Sequence, residues 1–154
     1  MEQIQSPEKK SPIEVVGAVI FDRKSDSILV GQRAKGKRFP LKWEFIGGKV
    51  EKGESPNQAV VRELREEVGL EIQPKGLMTK VKHDYGEEVG MIELHFIQCE
   101  PVGNVILKRF DREIYNDIRW IKITEVSGLD WIEADKDFAN QLAIIVTTPA
   151  HSDN

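Results

Sequence analysis

One segment of the chain, residues 55–69, specifies a helix by signals at both ends. Ser55 can cap the first turn, Pro56 suits the first helical position, and Gln58 can complete a capping box with Ser55. Gly69 stands just past the last helical residue, where a left-handed backbone ends many helices. The sequence therefore predicts a helix with well-defined limits.

The predicted helix has one apolar face and one acidic face. At about 100° per residue, four aliphatic side chains fall within one arc: Val60, Val61, Leu64 and Val68. Glu63, Glu66 and Glu67 fall within another, where like charges at this spacing destabilise a helix by about 0.2–0.5 kcal/mol per pair. Arg62 can offset part of this repulsion. A divalent cation would offset more of it, because carboxylate oxygens are ligands that Mg²⁺ prefers. A solvated acidic face without a bound ion explains the same pattern.

The segment before the helix extends this acidic face into a longer motif. Residues 43–48 (WEFIGG) indicate a short strand that runs into two glycines, which let a backbone approach a ligand or metal closely. Gly48, Glu54 and residues 62–70 (RELREEVGL) agree with all nine fixed positions of the Nudix box, a stretch of 23 residues. The chain therefore resembles the Nudix family of hydrolases.

This resemblance implies a fold and a metal centre. Nudix domains are α/β proteins, α/β/α sandwiches with a mixed β-sheet between helices, and the box forms a loop, helix and loop that holds one to three Mg²⁺ or Mn²⁺ ions. By position in the motif, the implied metal ligands are the Gly48 carbonyl, Glu63, Glu66 and Glu67, with Glu66 and Glu67 preferred. Glu63 is alternatively the general base. Arg62 and Glu54 resemble the pair that orients the catalytic carboxylates, because a planar guanidinium can hold carboxylates in register.

Outside the box, the chain resembles the MutT-like branch of the family. Residues 43–51 and 59–64 match this branch, with Ile46 where proline is common. Arg33 corresponds to an arginine that contacts substrate phosphates, and Lys49 lies beside the implied metal site. A further metal-binding carboxylate is expected before the last strand, where Glu113 is preferred over two competitors, Asp111 and Asp117.

The resemblance also places a base pocket at the start of the last predicted helix, at Asp135, where MutT has asparagine. Ionised aspartate only accepts hydrogen bonds, whereas asparagine also donates them. A preference for an oxidised guanine is therefore not transferred with the resemblance. Tyr85, Phe96 and Trp131 could stack on a base, although single aromatic residues more often belong to the core; Tyr85 is the preferred contact.

Hydrophobic periodicity divides the chain into an arm, one domain and a tail. We expect a disordered arm over residues 1–11, a Nudix domain over residues 12–148 and a short polar tail over residues 149–154. Apolar runs predict strands at residues 15–21, 28–30, 43–46, 77–83, 91–99 and 118–123. A second helix, over about residues 134–146, should pack on the sheet.

Composition restricts the cellular setting. The 154 residues are 40% hydrophobic and 31% charged, as in ordinary globular domains. The sequence shows neither an apolar run long enough to span a membrane nor a secretory signal, and Cys99 is its single cysteine. We expect a soluble cytoplasmic protein, monomeric or homodimeric, that does not bind membranes.

Three functions are compatible with these features. The first is Mg²⁺-dependent hydrolysis, with Mn²⁺ as an alternative ion, of nucleoside triphosphates such as dGTP or 8-oxo-dGTP to the monophosphate and pyrophosphate. The second is removal of pyrophosphate from the 5′ end of a triphosphorylated RNA, which the basic residues 33–38, Lys108 and Arg109 favour and the net charge of −4 disfavours. The third is a non-catalytic nucleotide-binding Nudix module, which the complete set of box carboxylates disfavours.

Overall fold

The structure of the protein, a computed structural model, describes residues 11–103 and 110–147. The expected tail, and the expected arm apart from residue 11, lie outside the described residues. Lys108 and Arg109, which favoured an RNA substrate, lie outside them as well.

Seven strands and two α-helices occur in the described part of the chain. The strands are β1 (Ile13–Asp22), β2 (Ser27–Arg33), β3 (Trp43–Glu44), β4 (Gly47–Lys49), β5 (Ile72–Asp84), β6 (Met91–Pro101) and β7 (Tyr115–Lys122). The helices are α1 (Pro56–Val68) and α2 (Glu133–Thr147), and a 3-10 helix, Ile123–Gly128, follows β7. Among the described residues, no helix is both long and apolar enough to cross a membrane.

Strand β1 connects the parts of the sheet. It runs parallel to β6 and antiparallel to β4, and its last residues pair antiparallel with β2. β5 pairs antiparallel with β6, while β3 and β7 pair antiparallel with β2. The sheet is therefore mixed, as the sequence predicts.

Alternating side chains of β1 divide the core into two layers. Val16, Ala18 and Ile20 belong to one apolar cluster, which includes the buried face of α1. Val19 belongs to a second cluster, which includes Phe138 and other residues of α2. Because successive side chains of a strand point to opposite faces, the two helices cover opposite sides of the sheet. The predicted α/β/α sandwich is confirmed.

Helix α1 begins and ends as the sequence predicts. The Gln58 backbone N–H donates to the Ser55 hydroxyl oxygen at 3.1 Å, and the Ser55 N–H donates to the Gln58 side chain at 2.9 Å. Gly69 ends the helix with a φ of 65°, in the left-handed region that suits glycine. These caps fix where the acidic residues fall along the helix.

The predicted strand over residues 43–46 is wrong as a single element. β3 ends at Glu44 and β4 begins at Gly47, because the backbone N–H of Phe45 donates to the Asp135 carboxyl at 2.9 Å instead of to a neighbouring strand. This break turns the chain from the β2 side of the sheet toward β1. It also places Gly47, and Gly48 at the start of the box, against β1.

Two other strands begin earlier than predicted. β5 begins at Ile72 rather than at residue 77, and two irregularities in its register with β6, near Gly76 and Met78, obscure its two-residue period. β7 begins at Tyr115 rather than at residue 118. At both strand starts the sequence does not alternate regularly between apolar and polar residues.

Gly47 has no room for a side chain. A Cβ at this position would lie 1.8 Å from the carbonyl oxygen of Val16, within the β1–β4 pairing. Gly47→Ala should therefore force the strands apart and lower the free energy of unfolding by about 1–3 kcal/mol. Gly128→Ala is the matched control, because no heavy atom lies within 4 Å of its added Cβ. Urea unfolding followed by tryptophan fluorescence compares the two variants, and equal midpoints would contradict the prediction.

Candidate active site

A cleft of about 610 Å³ opens beside the first residues of β1 and α2. Its wall contains two implied metal ligands, Gly48 and Glu67. The four predicted substrate contacts also line it: Arg33, Lys49, Tyr85 and Asp135. The structure therefore brings the box and the expected substrate-binding residues to one cavity, although they are distant in the sequence.

Two glutamates of α1 form a carboxyl pair against Gly48. A Cβ on Gly48 would lie 2.4 Å from the carboxyl carbon of Glu63, so the missing side chain is what admits that carboxylate. Burial, and after it the negative charge of Glu63, raises the pKa of Glu67 to about 8. Burial also raises the pKa of Glu63, to which Glu67 is hydrogen bonded. One proton is therefore shared between two carboxyl groups at neutral pH.

This pair fits a divalent cation. A bound cation would replace the shared proton, and Mg²⁺ is commonly held by one or two carboxylates while it keeps several waters. Glu66 is more exposed than this pair: its side chain is 59% exposed and accepts a hydrogen bond at 3.2 Å from the Arg62 nitrogen that also donates to Glu63. Within residues 11–103 and 110–147, no three acidic, histidine or cysteine side chains are already arranged as metal ligands. The structure thus brings the Glu63 and Glu67 carboxyl groups together, while Glu66 lies closer to solvent and shares Arg62 with Glu63.

Arg62 holds the box together. Its guanidinium donates to both carboxylate oxygens of Glu54, at 2.7 and 2.9 Å, and to the Glu63 carboxylate at 3.0 Å. It also donates to Glu66 and to the backbone carbonyl of Lys49 at 3.0 Å. The hydrogen bonds from Arg62 lower the pKa of Glu54 to about 2, so this carboxylate stays ionised. The structure places Arg62 and Glu54 as an orienting pair, which is the arrangement that the resemblance implies.

Arg33 faces the cleft with a partner that the sequence analysis missed. Its Nη1 donates to both carboxylate oxygens of Glu44, at 3.1 and 3.3 Å, and its Nε donates to the carbonyl of Arg38 at 2.7 Å. Burial raises the pKa of Glu44, and the charge of Arg33 opposes that rise. The sequence did not reveal this pair, because the predicted strand ends at residue 30. In the structure Arg33 is the last residue of β2 and its side chain is largely buried, so its guanidinium requires an acceptor.

Tyr115 is a second residue that the sequence did not reveal. It is 1% exposed, and its hydroxyl donates to the Glu67 carboxyl at 3.0 Å. No motif includes Tyr115, and a register irregularity between Gln32 and Arg33 sets its position opposite Arg33. Spacing along the chain could not have predicted this contact.

Asp135 is buried in the first turn of α2. One of its carboxyl oxygens accepts the N–H of Phe45, and burial, followed by the nearby charge of Glu44, raises its pKa well above the ordinary value. A neutral carboxylic acid both donates and accepts hydrogen bonds. Burial therefore favours the neutral form of Asp135, which would be able to donate as well as accept, as asparagine does. The expectation of an acceptor-only Asp135 stays a prediction.

Two loops meet at the mouth of the cleft. The ring centroids of Phe39 and Tyr85 lie 4.8 Å apart, and Arg38 Nη1 lies 3.2 Å from the Glu88 carboxylate. Phe39 has a φ of 53°, which is uncommon for a bulky residue. The Tyr85 hydroxyl accepts the N–H of Ala134 at 2.8 Å, so Tyr85 is tied to the start of α2.

The remaining predicted residues divide into those near the cleft and those away from it. Lys49 is exposed and lines the cleft. Glu113 is exposed on the segment before β7, where its backbone N–H donates to Asp111; it does not line the cleft. Phe96 and Trp131 are buried core residues. The structure does not bring Glu113 to the carboxyl pair, because β7 begins with Tyr115 directed there instead.

Comparison with known proteins agrees with this fold and site. The NUDIX domain model matches residues 12–142. The chain belongs to the NUDIX family and is a hydrolase of the MutT-like kind. Hydrolases of this family generally use a divalent metal ion.

Individual relatives cover different parts of the chain. A Mycobacterium tuberculosis protein provisionally named 8-oxo-dGTP diphosphatase 2 is 30% identical over 131 residues, 85% of this chain and 87% of that protein. The CTP pyrophosphohydrolase of Escherichia coli K12 is 52% identical over 59 residues, 38% of this chain and 42% of that protein. The crystal structure of a MutT protein from Methanosarcina mazei has the same fold, with a TM-score of 0.73 at 24% identity, and covers 93% of this chain and 100% of that chain.

The shared proton gives a direct test of the carboxyl pair. In metal-free protein, Glu67 should titrate near pH 8. Glu63→Gln should lower the pKa of Glu67, because it removes a neighbouring negative charge, but burial should still keep that pKa above the ordinary value. Carbon NMR of the side-chain carboxyl groups measures both titrations. An unchanged Glu67 titration in Glu63→Gln would show that the two groups do not share a site, and Glu125→Gln, on an exposed residue, serves as the control.

Proposed function

We propose that this protein is a Mg²⁺-dependent nucleoside triphosphate pyrophosphohydrolase that releases the nucleoside monophosphate and pyrophosphate, with Mn²⁺ as an alternative ion. The observation that carries the proposal is the meeting, in one cleft, of Glu67, Gly48 and the Arg33 guanidinium, with the Glu63 carboxylate packed against Gly48. A paired acidic site binds a cation, and a nearby arginine binds phosphate. The names of the relatives, which specify nucleoside triphosphates, support the same reaction.

In this mechanism the chain positions the reacting groups. Glu63, Glu67 and the Gly48 carbonyl would hold the ion, with Glu66 able to turn inward from its exposed position. When bound, Mg²⁺ neutralises phosphate oxygens and lowers the pKa of the attacking water. Arg62 keeps the carboxylates oriented, and a carboxylate of the pair accepts the proton of the water as it attacks phosphorus. The bond between the bridging oxygen and the attacked phosphorus breaks. Attack on the α-phosphorus expels pyrophosphate, attack on the β-phosphorus expels the nucleoside monophosphate, and in each case the leaving group keeps the bridging oxygen.

Arg33 and Lys49 are the proposed phosphate contacts. Arg33 is held by Glu44 and by the Arg38 carbonyl, so its guanidinium is pre-oriented and loses little freedom when it binds. Lys49 is exposed beside the box, where a flexible ammonium can reach the phosphate chain. Together they place positive charge at the part of the cleft nearest the carboxyl pair.

Base recognition is proposed for Asp135, with Tyr85 as an aromatic wall. The relatives named above act, by their names, on a purine and on a pyrimidine nucleotide, so family membership alone does not select the base. A neutral Asp135 can donate to a carbonyl oxygen and accept from an amino group, as guanine and 8-oxoguanine require. We therefore propose dGTP or 8-oxo-dGTP as the preferred substrate class. A cytoplasmic location and a monomeric or homodimeric state stay predictions from the sequence.

A substrate panel tests the proposed reaction. Equal concentrations of 8-oxo-dGTP, dGTP, CTP and a 5′-triphosphorylated oligoribonucleotide are incubated with the protein and Mg²⁺, and the products are separated by ion-exchange chromatography. We expect monophosphate and pyrophosphate, with the highest kcat/KM for a guanine nucleotide. Faster turnover of the oligoribonucleotide would favour the RNA reaction, for which Lys37 and Arg38 at the cleft supply some positive charge.

The same panel includes a variant that separates catalysis from folding. Glu67→Gln keeps the shape of the side chain but removes its charge, and should lower kcat by at least about 100-fold, as expected for a group that holds the metal or the reacting water. Glu125→Gln should retain full activity. Equal activity of Glu67→Gln and the unaltered protein would contradict the proposed site.

The pH dependence of KM tests Asp135. Because burial raises its pKa, Asp135 keeps the proton that lets it donate to a higher pH than an exposed aspartate does, and it loses this proton as the pH rises through that pKa. The KM for a guanine nucleotide should therefore rise at high pH in the unaltered protein. Asp135→Asn, which cannot ionise, should retain a low KM and remove this rise. A KM that rises equally in both proteins would assign the effect to another group.

A further inference from the structure

Tyr115 occupies a position that the folding of β2 and β7 defines closely. The register of the two strands shifts between Gln32 and Arg33, which places Arg33 opposite Tyr115. The Tyr115 ring lies over Gly31, where a Cβ would be 2.7 Å from the ring carbon Cε1. Gly31, which has no side chain, and the register shift between β2 and β7 thus fix the Tyr115 ring. The position of the ring determines where the Tyr115 hydroxyl lies.

The Tyr115 hydroxyl lies between two acidic side chains. It donates to the Glu67 carboxyl at 3.0 Å and lies near Glu44, whose negative charge helps to raise the pKa of the Tyr115 phenol. A phenol has a single proton to donate. Arg33 already donates to both oxygens of Glu44, at 3.1 and 3.3 Å. Because Arg33 satisfies Glu44, the proton of Tyr115 is available to Glu67.

We propose that Tyr115 is a positioning residue, whose hydroxyl holds the Glu67 carboxylate beside Glu63 and Gly48 for binding a divalent cation. The inference rests on the proposed metal site. A hydrogen bond to a ligating carboxylate restricts its rotation, and removal of such a partner commonly weakens metal binding by about 10- to 100-fold. In this proposal Tyr115 lines the cleft but acts through Glu67, without a contact of its own to the phosphates or the base.

Binding of Mn²⁺ in the absence of nucleotide tests the inference. Tyr115→Phe removes the hydroxyl and keeps the ring over Gly31. Free Mn²⁺, measured by its electron paramagnetic resonance signal, gives the dissociation constant of each protein. We expect Tyr115→Phe to bind Mn²⁺ at least about 10-fold more weakly, while Ser27→Ala, which removes another buried hydroxyl, binds it as the unaltered protein does. Thermal melting of all variants confirms that they are folded.

A double variant separates positioning from general loosening of the core. If Tyr115 acts through Glu67, then Tyr115→Phe should weaken Mn²⁺ binding little further in a Glu67→Gln background. Kinetics give an independent readout: Tyr115→Phe should raise the Mg²⁺ concentration for half-maximal rate, lower kcat at limiting Mg²⁺, and leave KM for the nucleotide nearly unchanged. Saturating Mg²⁺ should restore much of the lost rate.

Several outcomes would overturn the inference. Unchanged Mn²⁺ affinity in a folded Tyr115→Phe variant would do so, as would effects of the two substitutions that simply add. A protein that binds no Mn²⁺ at all would also reject it, because Glu67 would then not be a metal ligand. Normal Mn²⁺ binding, sensitive to Tyr115, in a protein that hydrolyses no nucleotide would instead reject the proposed function and leave the positioning role established.

Discussion

The hydrogen bonds of Arg62 are the interaction on which the site depends. One guanidinium joins the end of β4, through the Lys49 carbonyl, to Glu54 before the helix and to the acidic face of α1. Acidic side chains this close repel one another, and water alone would not hold them in one arrangement. A planar cation with five donors can satisfy several acceptors at fixed angles. The strand, the loop and the helix of the box are therefore held as one unit.

A second, smaller electrostatic network lies across the cleft. Arg33, Glu44 and Tyr115 come from β2, β3 and β7, and the last of them reaches the Glu67 carboxyl of α1. The acidic groups of this network have raised pKa values because burial removes them from water. Burial of charge is costly unless a partner or a bound ion compensates it. A charged ligand bound in the cleft would supply the compensation that these buried charges lack.

Local signals predicted the parts of this protein that depend on neighbours in sequence. Ser55, Gln58 and Gly69 gave the limits of α1, and the spacing from Gly48 to residue 70 identified the family. The contacts of Glu44 and Tyr115 could not be predicted, because they depend on which strands pair with β2 and, for Tyr115, on a register irregularity. Glu113 illustrates the reverse case: its residue type suited a ligand, but the course of the chain before β7 leaves it at the surface.

The hydrogen bond between Phe45 and Asp135 has a consequence for substrate selection. It ties the first turn of α2 to the backbone two residues before Gly47, and so to the strand that carries Gly48. A base that competes for the Asp135 carboxyl therefore acts on the backbone leading into the box. Discrimination between bases would then appear in the turnover rate as well as in binding, and a poorly matched nucleotide could be held tightly yet processed slowly.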